Sequence, residues 1–450
     1  MKFLNKQFTQ ETLKLALPVM LTQVGQVSVN LFDNIIVGKL LGAKALAAVS
    51  FGNAMFFSIF IFGLGFSLAI PPLVSEAHSQ HDHNRINSIF RHGFVVNIIL
   101  AFVLMLLIFG IIPLMPYLNQ PKEILPDTIT FLSIVTLSII PFMIFQTMRE
   151  VSEGLSFTIG VTKATIFANV INVILNYVFI EHFKMGVAGS AWATFIARVA
   201  MMVFLYYVLI KEEKTRRYIK DFSLKIKDFS KEMFEKLIRL GFPTALQLFF
   251  EVTAFAGAAF ICGLISAKDI AAHQIALSMA SFTFNLCVGF SVASTVMIGR
   301  KLGEKDFVNL EKVGFNNLKI AFIFMLMCGL VFILGKDVLP TFFTKKEDIA
   351  VVELASQLMI IAALFQLSDG IQVTALGCLR GIQDVKIPSI LTFIAYWVIT
   401  IPLGYYLTVP MKMGAFGMWI ALGIGLTISA VLLVIRFRNL SEKRIKAQSN

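Results

Sequence analysis

Apolar runs of about twenty residues recur along this 450-residue chain from Leu15 to Arg436, separated by shorter polar stretches. Roughly twenty apolar residues in helical conformation cross the hydrocarbon layer of a bilayer, so the pattern predicts membrane-spanning helices. Twelve are expected, over 15–38, 46–75, 93–116, 128–149, 163–181, 187–210, 242–265, 271–298, 315–336, 350–378, 388–407 and 414–436. The strict polar and apolar alternation of a membrane β-barrel is absent, and helices are the remaining way to satisfy a backbone in lipid. The polar residues inside the runs fall at helical spacing. Gln26, Asn30 and Asp33 share one face of span one, and Thr244, Gln247 and Glu251 share one face of span seven. Span five adds Asn169, Asn172 and Asn176, span eight Gln274, Ser278, Ser281 and Asn285, and span eleven Thr392, Tyr396 and Thr400. Such stripes are expected to face protein or water, as a pathway or as hydrogen bonds joining helices.

The pattern is written twice. Sliding the chain by 225 residues lays Pro18 on Pro243 and Gly38 on Gly263. A one-residue gap then lays GAKALAA (42–48) on SAKDIAA (266–272), and a slide of 223 matches Gly154 with Gly377 and Lys163 with Lys386. Each half holds six spans, and an even number makes the halves parallel repeats about an axis along the membrane normal. The expected fold is therefore an all-α integral membrane protein of twelve transmembrane helices in two six-helix lobes related by a pseudo-two-fold axis. The lobes are expected at 1–210 and 240–450, joined by a basic cytoplasmic linker at 211–239. A substrate path is expected between them.

Composition agrees with the spans: 57% of residues are hydrophobic, 15% are charged and mean hydropathy is +0.80. The net charge of +12 suggests nucleic acid until its placement is read. Ten Lys and Arg fall between Lys211 and Arg239, five between Arg436 and Lys446, and Lys2, Lys6 and Lys14 precede the first apolar run. By the positive-inside rule, these loops and both termini are cytoplasmic, with contact to anionic lipid a secondary use of the charge and no nucleic-acid partner. The first run contains Gln23, Gln26, Asn30 and Asp33 and is too long for a cleaved signal, so it is expected to remain as span one. Cys262, Cys287, Cys328 and Cys378 lie in spans without C-x-x-C spacing, which points to neither disulfides nor zinc.

Three carboxylates stand in the oily runs: Asp33, Glu251 and Asp369. An acid at mid-bilayer costs roughly 2.5–3.5 kcal/mol on the mildest scale, so each should face a partner, a cavity or a coupling ion. On the repeat offsets Glu251 falls on Gln26, Asp369 on Gln146 and Asp33 on Ala258, so the halves share a frame without sharing chemistry. That asymmetry predicts an inorganic-cation site in the second half, with Na⁺ or H⁺ at Glu251 and Asp369, and a separate acid in the first. Gln247, Gln274 and Gln366 are expected as neutral oxygen ligands. Arg198, midway along span six, is expected to neutralise Asp33 or Glu150 or to reach an interface. The loop HSQHDHNR (78–85) has metal-ligating residue types, with a solvated loop the ordinary alternative. His273 reads as a packing residue near a helix end. Nineteen Met and 44 Phe, with Phe32, Phe57, Phe250, Phe282 and Phe284 near the polar stripes, suit a shape-tolerant cavity for flat cations.

The segments FDNIIVGKLLGAKALAAVS (32–50), EGLSFTIGVTK (153–163), LNYVFI (175–180), FFEVTAFAGAAF (249–260), DIAAHQIALSMASF (269–282) and SDGIQVTALGCLRGIQDVKIP (368–388) resemble the multidrug and toxic compound extrusion (MATE) transporters, closest to their NorM-like bacterial branch. The resemblance implies a bacterial inner-membrane antiporter that exports amphiphilic, mostly cationic compounds in exchange for Na⁺ or H⁺. It needs neither a cofactor nor an obligate protein partner, and it is not an enzyme. By resemblance, Asp33 matches the first-span acid, Glu251 and Asp369 the second-lobe cation-site acids, Asn172 and Asn176 the fifth-span asparagines, and Gln274 a polar position of the eighth span. Gln26, Asn30, Gln247, Gln366 and Tyr396 join them as residues expected near substrate or ion. No G-x-x-x-x-G-K-[ST] loop is present for ATP. Two rival readings are weaker. A lipid-linked oligosaccharide flippase calls for several intramembrane cations, and only Arg198 qualifies. An intramembrane aspartyl protease calls for a G-x-G-D setting, which neither Asp33 nor Asp369 has.

Overall fold

The computed structural model describes residues 4–117, 121, 123–343 and 349–449, which leaves Lys2 outside the described residues. Its helices, in chain order, are α1 (Lys6–Leu41), α2 (Ala43–Ser67), α3 (Ile70–Ser79), α4 (His83–Ile111), α5 (Leu125–Leu137), α6 (Ile139–Gly154), α7 (Ile159–Tyr177), α8 (Gly186–Lys211), α9 (Glu213–Lys220), α10 (Lys231–Gly263), α11 (Ala267–Gly303), α12 (Phe307–Gly335), α13 (Ile349–Gly381), α14 (Lys386–Phe393), α15 (Ile401–Thr408) and α16 (Gly414–Ser449). Eleven segments among the described residues are long and apolar enough to cross a membrane. The pair α5 and α6, bent by 42° at Ser138, supplies the twelfth. All twelve expected spans are thus present and helical, and no strand occurs among the described residues.

Local chemistry sets the ends and breaks of these helices. Asp82 caps α4 by accepting from the Arg85 amide at 2.9 Å, and Ser266 caps α11 by accepting from the Asp269 amide at 3.0 Å. Between α14 and α15 the span passes through a π-helical turn, Ile394–Thr400, which rotates Tyr396 relative to an unbroken helix.

The chain packs as two compact units. One contains Leu21–Ala245; the other contains Met1–Met20 and Leu246–Asn450. The first turns of α1 therefore belong with the second repeat. There Asn5 donates its amide to Asn316 at 2.8 Å, Thr12 donates to Asn317 Oδ1 at 2.6 Å, and a Cβ at Gly289 would stand 2.8 Å from Ala16 O. The first turns of α10 correspondingly belong with the first repeat, where a Cβ at Gly65 would stand 2.5 Å from Ala245 Cα. Gly65 and Gly289 are repeat mates. With lipid outside and apolar side chains inside, small residues supply the tight backbone approach that holds membrane helices together. The same device recurs at Gly154, whose Cβ would meet Val74 and Pro71 of α3, and at its mate Gly377, whose Cβ would meet Ser291 of α11.

Candidate functional site

The unit holding the second repeat contains two of the three acids. Glu251 is on α10 and Asp369 on α13, both buried. They are close enough for each carboxylate to act on the other's charge. Gln372, one turn after Asp369, donates Nε2 to Glu251 Oε1 at 3.3 Å and to Tyr396 Oη at 3.1 Å. Tyr396, fully buried on the π-helical turn, shares its hydroxyl with Gln372 and senses both carboxylates. Gln366, one turn before Asp369, is fully buried with both side-chain polar atoms lacking a hydrogen-bond partner. Gln247, one turn before Glu251, is buried beside that carboxylate and interacts with it. Buried polar groups are satisfied in the great majority of folded proteins, so the open amide of Gln366 is a group that an ion or water could serve. Gln274 on α11 is exposed instead, on a different part of the surface of its helix from the buried His273.

The charges here are not neutralised by a fixed cation in contact. Among the described residues neither acid forms an ion pair, although Arg380, in the last turn of α13, acts on Glu251 through space. Two carboxylates held near each other in a low dielectric repel, and any cation that reaches them relieves the repulsion.

The unit holding the first repeat arranges its acid differently. Asp33 is buried on α1 and accepts from Asn176 Nδ2 of α7 at 2.7 Å. Asn172 Oδ1 lies 3.2 Å from the same nitrogen, so the two expected asparagines act together. Two further polar contacts seat α1 on α7. The hydroxyls of Thr22 and Thr162 are 3.0 Å apart, and Asn169 donates to Gly25 O at 2.9 Å. Gln26 is half-buried and Asn30 exposed on this helix. Of the polar stripe predicted for span one, Asp33 is the oriented carboxylate, whereas the helix-joining bonds come from Thr22 and the Gly25 carbonyl, outside that stripe.

Arg198 pairs with neither expected acid among the described residues. Its Nη1 donates to Ser138 Oγ at 2.6 Å, at the α5–α6 bend, and its guanidinium covers the rings of Phe56 and Phe142 at 4.8 and 5.2 Å. It acts on Asp33 only through space. Glu150 accepts from Gln146 at 2.6 Å, and a neighbouring buried ion pair joins Arg149 to Glu153 at 2.7 Å. Sequence reasoning missed that pair, although the four-residue spacing of Arg149 and Glu153 is the helical ion-pair spacing. It also missed Gln372, which one helical turn from Asp369 could have brought forward.

The histidine-rich loop is structural. His83 Nδ1 and Tyr218 Oη lie 2.7 Å apart, Arg85 pairs with Glu76 at 2.6 Å, and no His, Cys, Asp and Glu cluster able to hold a metal occurs among the described residues. His273 is fully buried and packs on Trp419 with ring centroids 5.9 Å apart, as expected of a packing residue.

The sequence pattern of the MatE family matches this chain twice, over residues 18–178 and 243–406. The chain is 31% identical over 439 residues to the multidrug resistance protein NorM of Photobacterium profundum, covering 96% of this chain and 95% of that protein. It is 33% identical to the probable multidrug resistance protein NorM of Agrobacterium fabrum, covering 97% and 94%. Among solved structures, the crystal structure of MATE in the bent conformation superimposes with a TM-score of 0.89 at 20% identity, covering 98% of this chain and 97% of that one. The eukaryotic MATE transporter AtDTX14 superimposes with a TM-score of 0.88 at 16% identity, covering 98% and 99%.

Proposed function

The chain belongs to the MatE family, and on that premise we propose that it is a secondary active antiporter that exports amphiphilic, mostly cationic compounds in exchange for Na⁺ or H⁺ by alternating access. Members of this family are transporters, which removes the protease reading. The observation that carries the proposal is the burial of two carboxylates, Glu251 and Asp369, in one unit, with no ion pair to either among the described residues. A proton relieves their repulsion by neutralising one carboxylate. Na⁺ relieves it by taking oxygen ligands from Glu251 and Asp369, with Tyr396 and the amide oxygens of Gln247 and Gln366 as neutral donors; the exposed Gln274, expected among them, is left out. Gln372, bonded to both, holds Glu251 and Tyr396 in register.

In this reading, occupation of the pair favours the conformer that releases the exported compound, and loss of the ion favours the conformer that reloads. Inward movement of one positive charge supplies about 2.3 kcal/mol per 100 mV, enough to drive a moderate gradient of exported compound. Asp33, oriented by Asn176, is a second acid for a cationic compound or a proton. The basic loops support a cytoplasmic side for both termini in a bacterial inner membrane. The test is reconstitution in liposomes with imposed Na⁺ or H⁺ gradients. Ethidium is expected to move under at least one, and no movement under either rejects ion coupling.

A further inference from the structure

The basic stretch after α8 was expected as a polar linker, and most of it is folded against the first repeat's unit. Thr215 of α9 donates to Leu209 O at 2.7 Å, and Arg216 donates to Ile210 O and Lys211 O at 2.9 and 3.0 Å, which satisfies the carbonyls left open at the end of α8. Tyr218 is buried against His83, Phe222 packs on Phe90 and Phe94 with centroids 5.0 and 5.2 Å away, and Asp228 pairs with Arg91 at 3.0 Å. The Ser230 amide donates to His92 Nε2 at 2.8 Å, while His92 Nδ1 lies 2.7 Å from Ser88 O. Five contacts thus fasten the stretch along the start of α4.

What the clasp leaves outward is mostly cationic, with Glu213 and Asp221 as its exposed acids and Asp221 paired to Arg217. Lys211, Lys214, Lys220, Lys225 and Lys227 are all exposed, and among the described residues none forms an ion pair. Apolar and aromatic side chains stand beside them: Tyr206 and Tyr207 on the last turns of α8 are half exposed, as is Leu224, and Lys211 Nζ lies 4.4 Å from the centre of the Tyr207 ring. Lys211 is in the last turn of a membrane span, so this surface lies at a bilayer boundary. Tyrosine and lysine at that depth match a headgroup layer, with the ring at the interface and the ammonium reaching phosphate.

We propose that the clasped stretch Lys211–Lys227 is a binding surface for anionic phospholipid headgroups. The partner must carry negative charge, because five unpaired ammonium groups held on a fixed scaffold repel one another and gain from a neutralising surface. It must also be amphiphilic, because the exposed tyrosines and Leu224 border the charges. An anionic phospholipid meets both demands. The clasp matters because it turns a flexible charged segment into a surface whose lysines are already placed, which lowers the ordering cost of binding.

The test uses the full chain in nanodiscs assembled from equal parts of phosphatidylcholine and phosphatidylglycerol, with retained lipids counted by native mass spectrometry. The wild type is expected to retain phosphatidylglycerol over phosphatidylcholine by at least about tenfold, with the preference falling as salt is raised. Changing all five lysines to glutamine is expected to bring the preference within about twofold at an unchanged melting temperature. Phe222→Ala keeps every charge but loosens the clasp, and is expected to remove most of the preference. No preference in the wild type, full preference in the five-lysine variant, or full preference in Phe222→Ala each overturns the proposal.

Discussion

Asn176 Nδ2 stands 2.7 Å from Asp33 Oδ1, so the carboxylate of α1 is oriented by an amide of α7 rather than by the arginine of α8. The amide can bond the charged or the neutral acid, which a fixed cation would not permit equally well. Replacing Asn176 with Leu leaves the buried acid without its donor. The expected cost is about 1–3 kcal/mol of stability together with loss of most ethidium flux. Thermal unfolding and liposome transport on one preparation measure both, and an unchanged flux would show that Asp33 works without its partner.

Glu251→Gln and Asp369→Asn each remove one of two buried like charges in the same unit. Each variant is expected to be at least as stable as the wild type, because repulsion is relieved, while ion-driven flux falls by at least about tenfold. Stability lost together with flux would mean that the acids serve the fold.

Arg198→Met removes a hydrogen bond to Ser138 and two ring contacts, and these place its main contribution in packing. We expect a loss of about 1–3 kcal/mol, with direction and driving ion of transport unchanged. A change of driving ion in the variant would instead make the through-space action on Asp33 functional.

Arg149→Met strands the Glu153 carboxylate in a buried setting and is expected to cost about 3–5 kcal/mol. The double change Arg149→Met with Glu153→Leu is expected to recover most of that loss, since well-packed apolar residues replace a buried ion pair at little cost. Unfolding of the two variants side by side decides the matter.

Gly377→Ala and Gly423→Ala form a matched comparison. A Cβ at Gly377 would run into the Ser291 backbone, whereas one at Gly423 meets nothing within 4 Å. The first is expected to cost about 1–3 kcal/mol or more and the second to be neutral or slightly stabilising. Equal melting temperatures would remove the close-packing role given to Gly377.

The number and placement of the spans were legible because lipid imposes a length and a hydropathy on each crossing. The acids were legible for the same reason, since Asp33, Glu251 and Asp369 are costly wherever they are not used. Gln372 was not, because an uncharged amide inside a span is common enough to pass unnoticed, and its importance lies in which two side chains it joins. Nor was the folded clasp. Tyr218, Phe222, Phe229 and Phe234 interleave with the lysines of 211–239, and that mixture signals a stretch with something to pack against; the charge count hid it. Arg198 was visible but its partner was not, because only the bend at Ser138 brings a hydroxyl and two rings to its guanidinium.

The sharing of α1 and α10 between packing units changes what the ends of the chain are for. The part of α1 ahead of Pro18 is a strut of the half encoded last, with Thr12 and Ala16 held inside it. Trimming the amino terminus, ordinarily among the safest edits to a protein, would here pull a buried helix out of the region that carries Glu251 and Asp369. During synthesis that half would have to wait for its opening segment, made first, to be matched with helices made last.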